Sequence, residues 1–330
     1  MHGARIDMMY ARSMSGRAFR RLTGGLAVGL VLAAAGASAQ TSKGQPVAIS
    51  FGLAVADTPV GCGAPLTALG TGRVAASLND ARLYVSDLKL IDARGGRVPV
   101  KLTRNEWQFA DVALIDFKDG RGGRTGCSKD NPAKNTTVVG TVPKGRYAGI
   151  EFTVGVPAAA EVDGKQVSLN HSNLETAPAP LDIAVMNWSW QAGRKFMLAE
   201  VNPAGGFKRQ DGSPARTWMV HLGSTGCKGN PATGEIIACA RPNRFVVTFE
   251  RFDPRSQLVV LDLAQLFAGS DLATDKGGAI GCMSDPSDPE CTAIFQAIGL
   301  NLNETKPGAG DEGRQTTPGR SPIFTVRAKP

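Results

Sequence analysis

Hydrophobic positions recur at every second residue along much of the chain. In Pro46–Val55, the residues Val47, Ile49, Phe51, Leu53 and Val55 alternate with small or polar ones, the period of a strand with one buried face. Leu83–Leu90 alternates again and Arg97–Leu102 does so in shorter form, with the turn-forming pair Gly95-Gly96 between them. The same reasoning places strands at Arg146–Val156, after the turn Pro143-Lys144-Gly145, and at Lys195–Val201, Thr217–Leu222, Arg244–Phe252 and Gln257–Leu261. Helical patterns are few: a turn or two at Asp262–Phe267, and Pro289–Ile298, which carries Cys291. Short strands separated by glycine and proline turns, with no βαβ alternation, predict a mainly β protein. The expected architecture is an antiparallel β-sandwich or open barrel with long disulfide-pinned loops and one or two short helices.

The two ends of the chain read differently from its middle. A basic stretch ending in Arg20-Arg21 leads into the apolar run Leu22–Ala37 and the small-x-small site Ala37-Ser38-Ala39, which reads as a signal peptide over residues 1–39. That run is shorter than a comfortable membrane span, and no span is expected after its removal. Residues 40–304 form the expected single β-rich domain, within which Gly122–Lys134 reads as a long loop pinned by Cys127. Residues 305–330 are rich in Gly, Pro, Thr and charge and read as a mobile tail in which only Ile323–Val326 could pair as a strand.

Charge changes the picture less than it first suggests. The net +8 would fit a nucleic-acid binder, but the leader holds five of the 37 basic residues and one of the 29 acidic ones. The remaining 291 residues therefore carry a net +4, an ordinary surface with no nucleic-acid signature.

All six cysteines follow the leader: Cys62, Cys127, Cys227, Cys239, Cys282 and Cys291. An even count behind an export signal reads as disulfides. Short loops make Cys227–Cys239 and Cys282–Cys291 the easiest to close, which leaves Cys62–Cys127. Thiolate metal sites are the competing reading, but CxxC spacing and adjacent histidines are both missing.

Only His171 and His221 remain as histidines once the leader is gone. Between them lie Met186, Trp188, Trp190, Phe196 and Met197, with the tryptophans at strand spacing on one face and Met186 on that same face. Taken singly, each histidine fits a surface or hydrogen-bonding role, and the tryptophans and methionines fit a packed core. Taken together, imidazoles with thioethers suit one copper ion, as Cu(I) or Cu(II), with His171 and His221 as ligands and Met186 and Met197 as weaker candidates. Asp87, Asp116 and Asp119 are isolated aspartates of the kind that form turns. GxSxG, HExxH, Walker, dinucleotide and CxxCH motifs are all missing, so no catalytic residues are assigned.

Several long stretches resemble one family, the periplasmic MbnP-like proteins, also called metallo-mystery pair system four-Cys motif proteins. They are ARLYVSDLKL (81–90), RNEWQFADVALIDFKDG (104–120), TVPKGRYAGIEFTVGVP (141–157), the NH pair at 170–171, APLDIAVMNWSWQAGRKFMLAE (179–200), HLGSTGC (221–227), CARPNRFVV (239–247) and GCMSDPSDPEC (281–291). The resemblance implies a periplasmic, β-rich copper binder that is not itself an enzyme. It also implies a partner of the dihaem cytochrome c peroxidase or MauG-like group, which oxidises a tryptophan to kynurenine beside the copper. The family's histidines match His171 and His221, and its WxWQ segment matches Trp188 to Gln191, so Trp190 is the first candidate for oxidation and Trp188 the second. Arg194 stands where the family usually has Tyr, and is expected either to be merely exposed or to alter the partner's docking surface or a stacking contact. The four-Cys label leaves two of the six cysteines extra. Two other readings compete: a secreted structural or interaction β-domain without a metal, and a hydrolase or carbohydrate-active sandwich.

Overall fold

Alternation in the first strand is realised as a buried stripe. In the computed structural model, which describes residues 44–118, 134–188, 193–229, 236–303, 315, 317 and 319–330, β1 (Gln45–Val55) turns Ile49, Phe51, Leu53 and Val55 into the core. The expected leader and Cys127 lie outside the described residues.

Two sheets carry the fold. In the first, β1 pairs antiparallel with β4 (Thr137–Val142) and parallel with β11 (Gln257–Asp262), and β11 pairs antiparallel with β12 (Phe324–Ala328). The second is organised by β2 (Val74–Asp92), a 19-residue strand. Its first half pairs with β6 (Gly193–Pro203), and its second half pairs with β5 (Tyr147–Val154). The hydrogen-bond register shifts opposite Asp87, whose φ of 50° marks the extra residue of a bulge. β7 (Trp218–Gly223) extends this sheet beyond β6, β10 (Phe245–Phe249) extends it beyond β5, and β3 (Val112–Asp116) pairs with β2 at Arg82–Ser86.

The sheets meet through edge-to-face aromatic contacts. Phe51 on β1 lies 5.7 Å from Phe152 on β5, and Phe152 lies 5.6 Å from Phe324 on β12. This is the predicted mainly β, antiparallel sandwich. The two expected helices are present as α1 (Leu263–Leu266) and α2 (Cys291–Ile298). Asp262 caps α1 by accepting from the Ala264 N–H at 2.9 Å, and Gly299, with φ of 79°, ends α2 in the left-handed conformation.

Within the C-terminal stretch, the segment that could pair as a strand does so. β12 is a docked strand, with Ile323 and Phe324 buried in the core. The apolar Ile-Phe pair at the start of β12 outweighs the polar composition around it, because burying both side chains opposes the entropy of ordering the strand. Among the missed strands, β3 reads VALID and is buried at every position, so it shows no alternation to find.

Cys227–Cys239 and Cys282–Cys291 are both formed. The first bridges β8 (Thr225–Gly229) to β9 (Ile236–Arg241), where the two cysteines are register partners. Cys62 is disulfide-bonded.

Candidate metal centre

The site is built on the β6–β7 pair. Register places Leu198 opposite His221, Glu200 opposite Met219 and Lys195 opposite Gly223. Residues directly paired in an antiparallel sheet share a face, as do residues two apart along a strand. Lys195, Leu198, Glu200, His221 and Gly223 therefore line one face.

His221 is buried, and its Nε2 lies 2.8 Å from Glu200 Oε1. Burial disfavours the imidazolium and pulls the His221 pKa below its usual value, despite the carboxylate beside it. Burial alone would raise Glu200, but hydrogen bonds from His221 and Asn79 and the Lys195 charge outweigh it and lower its pKa. A neutral imidazole facing a carboxylate places its proton on Nε2, which donates to Glu200 and leaves the Nδ1 lone pair as the atom that could act as a ligand. This carboxylate–histidine arrangement orients a metal ligand and raises its basicity. The His221 backbone is held too: its N–H donates to the Cys282 carbonyl at 2.9 Å, and its carbonyl accepts from Ser284 Oγ at 2.9 Å.

His171 follows the hairpin Ala159–Ser168 in a turn whose Leu169 carbonyl accepts from the Ser172 N–H and Oγ. Its Nε2 lies 3.1 Å from Asn170 Nδ2 and 3.4 Å from Cys239 Sγ. The ring lies on Gly193, where an added Cβ would come within 2.9 Å of both Cε1 and Nδ1. His171 and the two sulfurs of Cys227 and Cys239 bring potential ligand atoms within 4.8 Å of one another. Joined as a disulfide, those sulfurs offer no thiolate, so they brace the histidine rather than complete a donor set.

A tryptophan ring packs on the same strand pair. Trp188 pairs with Gly193, and its six-membered ring covers Gly223, where an added Cβ would meet Cζ3 at 2.6 Å. The His171 ring over Gly193, the Trp188 ring over Gly223 and His221 two residues earlier on β7 thus occupy the same face. The register does for these groups what spacing in the sequence could not.

The remaining candidates fall elsewhere. Met197 is opposite Leu222 and Leu83, on the face turned away from His221, and is packed in the core. Met186 is buried in the same core from a single 3₁₀ turn, Ala184–Met186, with Asn187–Trp188 extended after it. Trp190 and Asp119 lie outside the described residues. Asp116 pairs with Arg82 at 3.2 Å, and Asp87 with Lys89 at 2.7 Å.

Arg194 corrects an expectation about exposure. It is buried, and its guanidinium donates to the carbonyls of Leu181 at 2.8 Å, Asn170 at 3.1 Å and Ser172 at 2.8 Å. It therefore clamps the backbone on both sides of His171 and presents no docking surface. Sequence reading also missed Glu200 and the two glycines. Glycine in a strand, adjacent to a histidine or tryptophan motif, was the available signal that a ring approaches the backbone.

These features define a class: antiparallel β-sandwich proteins, braced by disulfides, that gather two histidines and a tryptophan on one sheet face. The family model MbnP matches residues 44–284. The solved structure of MbnP from Methylosinus trichosporium is similar, with 59% identity, a TM-score of 0.80 and coverage of 87% of this chain and 99% of that one. The chain belongs to the MbnP family. A comparison with curated proteins gives no match.

Proposed function

We propose that this protein is a periplasmic copper-binding protein, not itself a catalyst, and that it serves as substrate and partner of a dihaem MauG-like peroxidase. The observation that carries the reading is the shared face of His171, Trp188 and His221. Two buried or half-buried imidazoles beside an aromatic ring give a nitrogen donor set suited to copper. The carboxylate behind His221 fits a metal ligand better than a structural histidine. His171 and His221 would hold the ion, and the ion would supply redox chemistry at the site. Glu200 orients one ligand, while Arg194 and the Cys227–Cys239 bridge position the other.

Oxidation of a tryptophan to kynurenine breaks the indole C2–C3 bond with an oxygen added to each carbon, the dihaem partner supplying the oxidising equivalents, and hydrolysis then releases C2 as formate, for a net loss of one carbon and gain of one oxygen. The product exposes an aromatic amine and a carbonyl where an apolar ring had been. Trp190 and Trp188 are the candidates, and Trp188 is the one whose ring lies among the described site residues. Copper titration of the mature protein, beside His171→Ala and His221→Ala, tests the ligand assignment. One equivalent bound by the parent and a lost or severely weakened site in each variant is expected. Unchanged stoichiometry and affinity in both would remove these residues as ligands.

A further inference from the structure

A second polar cluster lies on the loop that leads into α2. Asp288 and Glu290 are both more than nine-tenths buried. One oxygen of each is satisfied: Asp288 Oδ1 accepts from the Glu290 N–H at 3.1 Å, and Glu290 Oε1 accepts from the Lys276 N–H at 2.6 Å. The other two, Asp288 Oδ2 and Glu290 Oε2, are buried and have no hydrogen-bond partner among the described residues. Asp288 also borders an open cleft of about 460 Å³, shared with Gln210, Lys276, Gly278 and Asp285. Gly278, with φ of 86°, brings its backbone to the Asp288 carboxyl, where an added Cβ would stand 3.7 Å from Oδ2.

Two neighbouring buried carboxyls with free oxygens are costly as bare anions. They need either a shared proton or a cation. Burial, followed by contact with Glu290, pushes the Asp288 pKa up to about 7, the expected response of a carboxylate lacking a counter-charge. Arg209 is already engaged by Asp275 at 3.2 Å.

We infer that the Asp288–Glu290 pair, at the edge of this cleft, is a binding site for a hard divalent cation of the calcium type, held by Asp288 Oδ2 and Glu290 Oε2. Oxygen-only ligands select against copper and zinc, and ligands carried by an irregular loop suit calcium's flexible coordination better than magnesium's strict octahedron.

The site is connected to the histidine face. Cys291, directly after Glu290, is bonded to Cys282. Cys282 donates its N–H to the Met219 carbonyl at 2.8 Å and accepts from the His221 N–H at 2.9 Å, so the loop forms a parallel bridge beside β7 at Val220. A cation fixing Asp288 and Glu290 would therefore rigidify the segment that holds the His221 backbone.

The test is calorimetric titration of chelator-treated, copper-free mature protein with calcium chloride, repeated with magnesium chloride, with thermal melts alongside. One calcium per chain, a raised melting temperature and a weaker magnesium response are expected. Asp288→Asn and Glu290→Gln should each weaken calcium binding at least about 10–100-fold, while His221→Ala should bind calcium as the parent does. Absence of calcium heat and of any melting shift in the parent at millimolar calcium would overturn the inference and leave a shared proton as the occupant. If either variant fails to fold, the parent titration decides by itself.

Discussion

Gly223 and Trp188 are fitted to each other: the tryptophan's six-membered ring occupies the space in which a side chain at Gly223 would stand, 2.6 Å from a Cβ. The same Cβ would meet the Arg194 carbonyl at 2.9 Å, so neither neighbour can yield alone. Gly223→Ala is expected to cost about 1–3 kcal/mol through overpacking. It should also shift the Trp188 fluorescence, which a melt and an emission spectrum would check. A variant with parent stability and an unchanged spectrum would contradict the close fit.

Gly193→Ala separates the histidine from the tryptophan. Its Cβ would strike the His171 ring at 2.9 Å and displace the proposed ligand. Copper affinity is expected to fall well before global stability does, as measured by titration and urea unfolding on the same preparation.

Glu200→Gln keeps the shape and removes the carboxylate facing His221 Nε2. Losing such a partner typically weakens metal binding about 10–100-fold. A competition assay with a copper chelator would read the change directly, and parent affinity in the variant would exclude the tautomer argument.

Arg194→Met removes the donors that satisfy the carbonyls of Leu181, Asn170 and Ser172. Buried carbonyls left unpaired cost about 1–3 kcal/mol each, so a large loss of stability is expected together with increased hydrogen exchange over residues 169–173. Arg194→Lys should recover only part of it, because an ammonium cannot span the same fork of acceptors.

Asp80 supplies a pH dependence. Burial pushes it up to about 6, although Arg82 lies 3.1 Å away. A carboxyl raised above its unfolded value favours the folded state while protonated. Its contribution is therefore lost as pH rises from about 4 through about 6 and is flat above that. The melting temperature of the parent minus that of Asp80→Asn should fall across this window and level off beyond it. A difference that does not vary with pH would contradict the shift.

Much of the fold was legible because strands with one buried face alternate, as β1 does, and because Asp262 and Gly299 bound their helices in local sequence. β3 escaped notice because burial on both faces erases alternation. β12 was legible as a stretch able to pair, but its docking partner Phe152, distant in the chain and on the other sheet, was not. At the site, the histidines stood out by scarcity, but their common face depends on β6–β7 register and on rings packed over Gly193 and Gly223. Those are tertiary facts. Arg194 was legible only as a departure from the family's Tyr, because the loop carbonyls it satisfies become neighbours only on folding.

The most direct test of the central claim is a crystal structure of the copper-loaded protein with anomalous data collected at the copper edge. The account predicts one strong anomalous peak bonded to His221 Nδ1 and to His171, on the face that carries the Trp188 ring. A peak bound by neither histidine, or none in protein shown to contain one equivalent of copper, would contradict it.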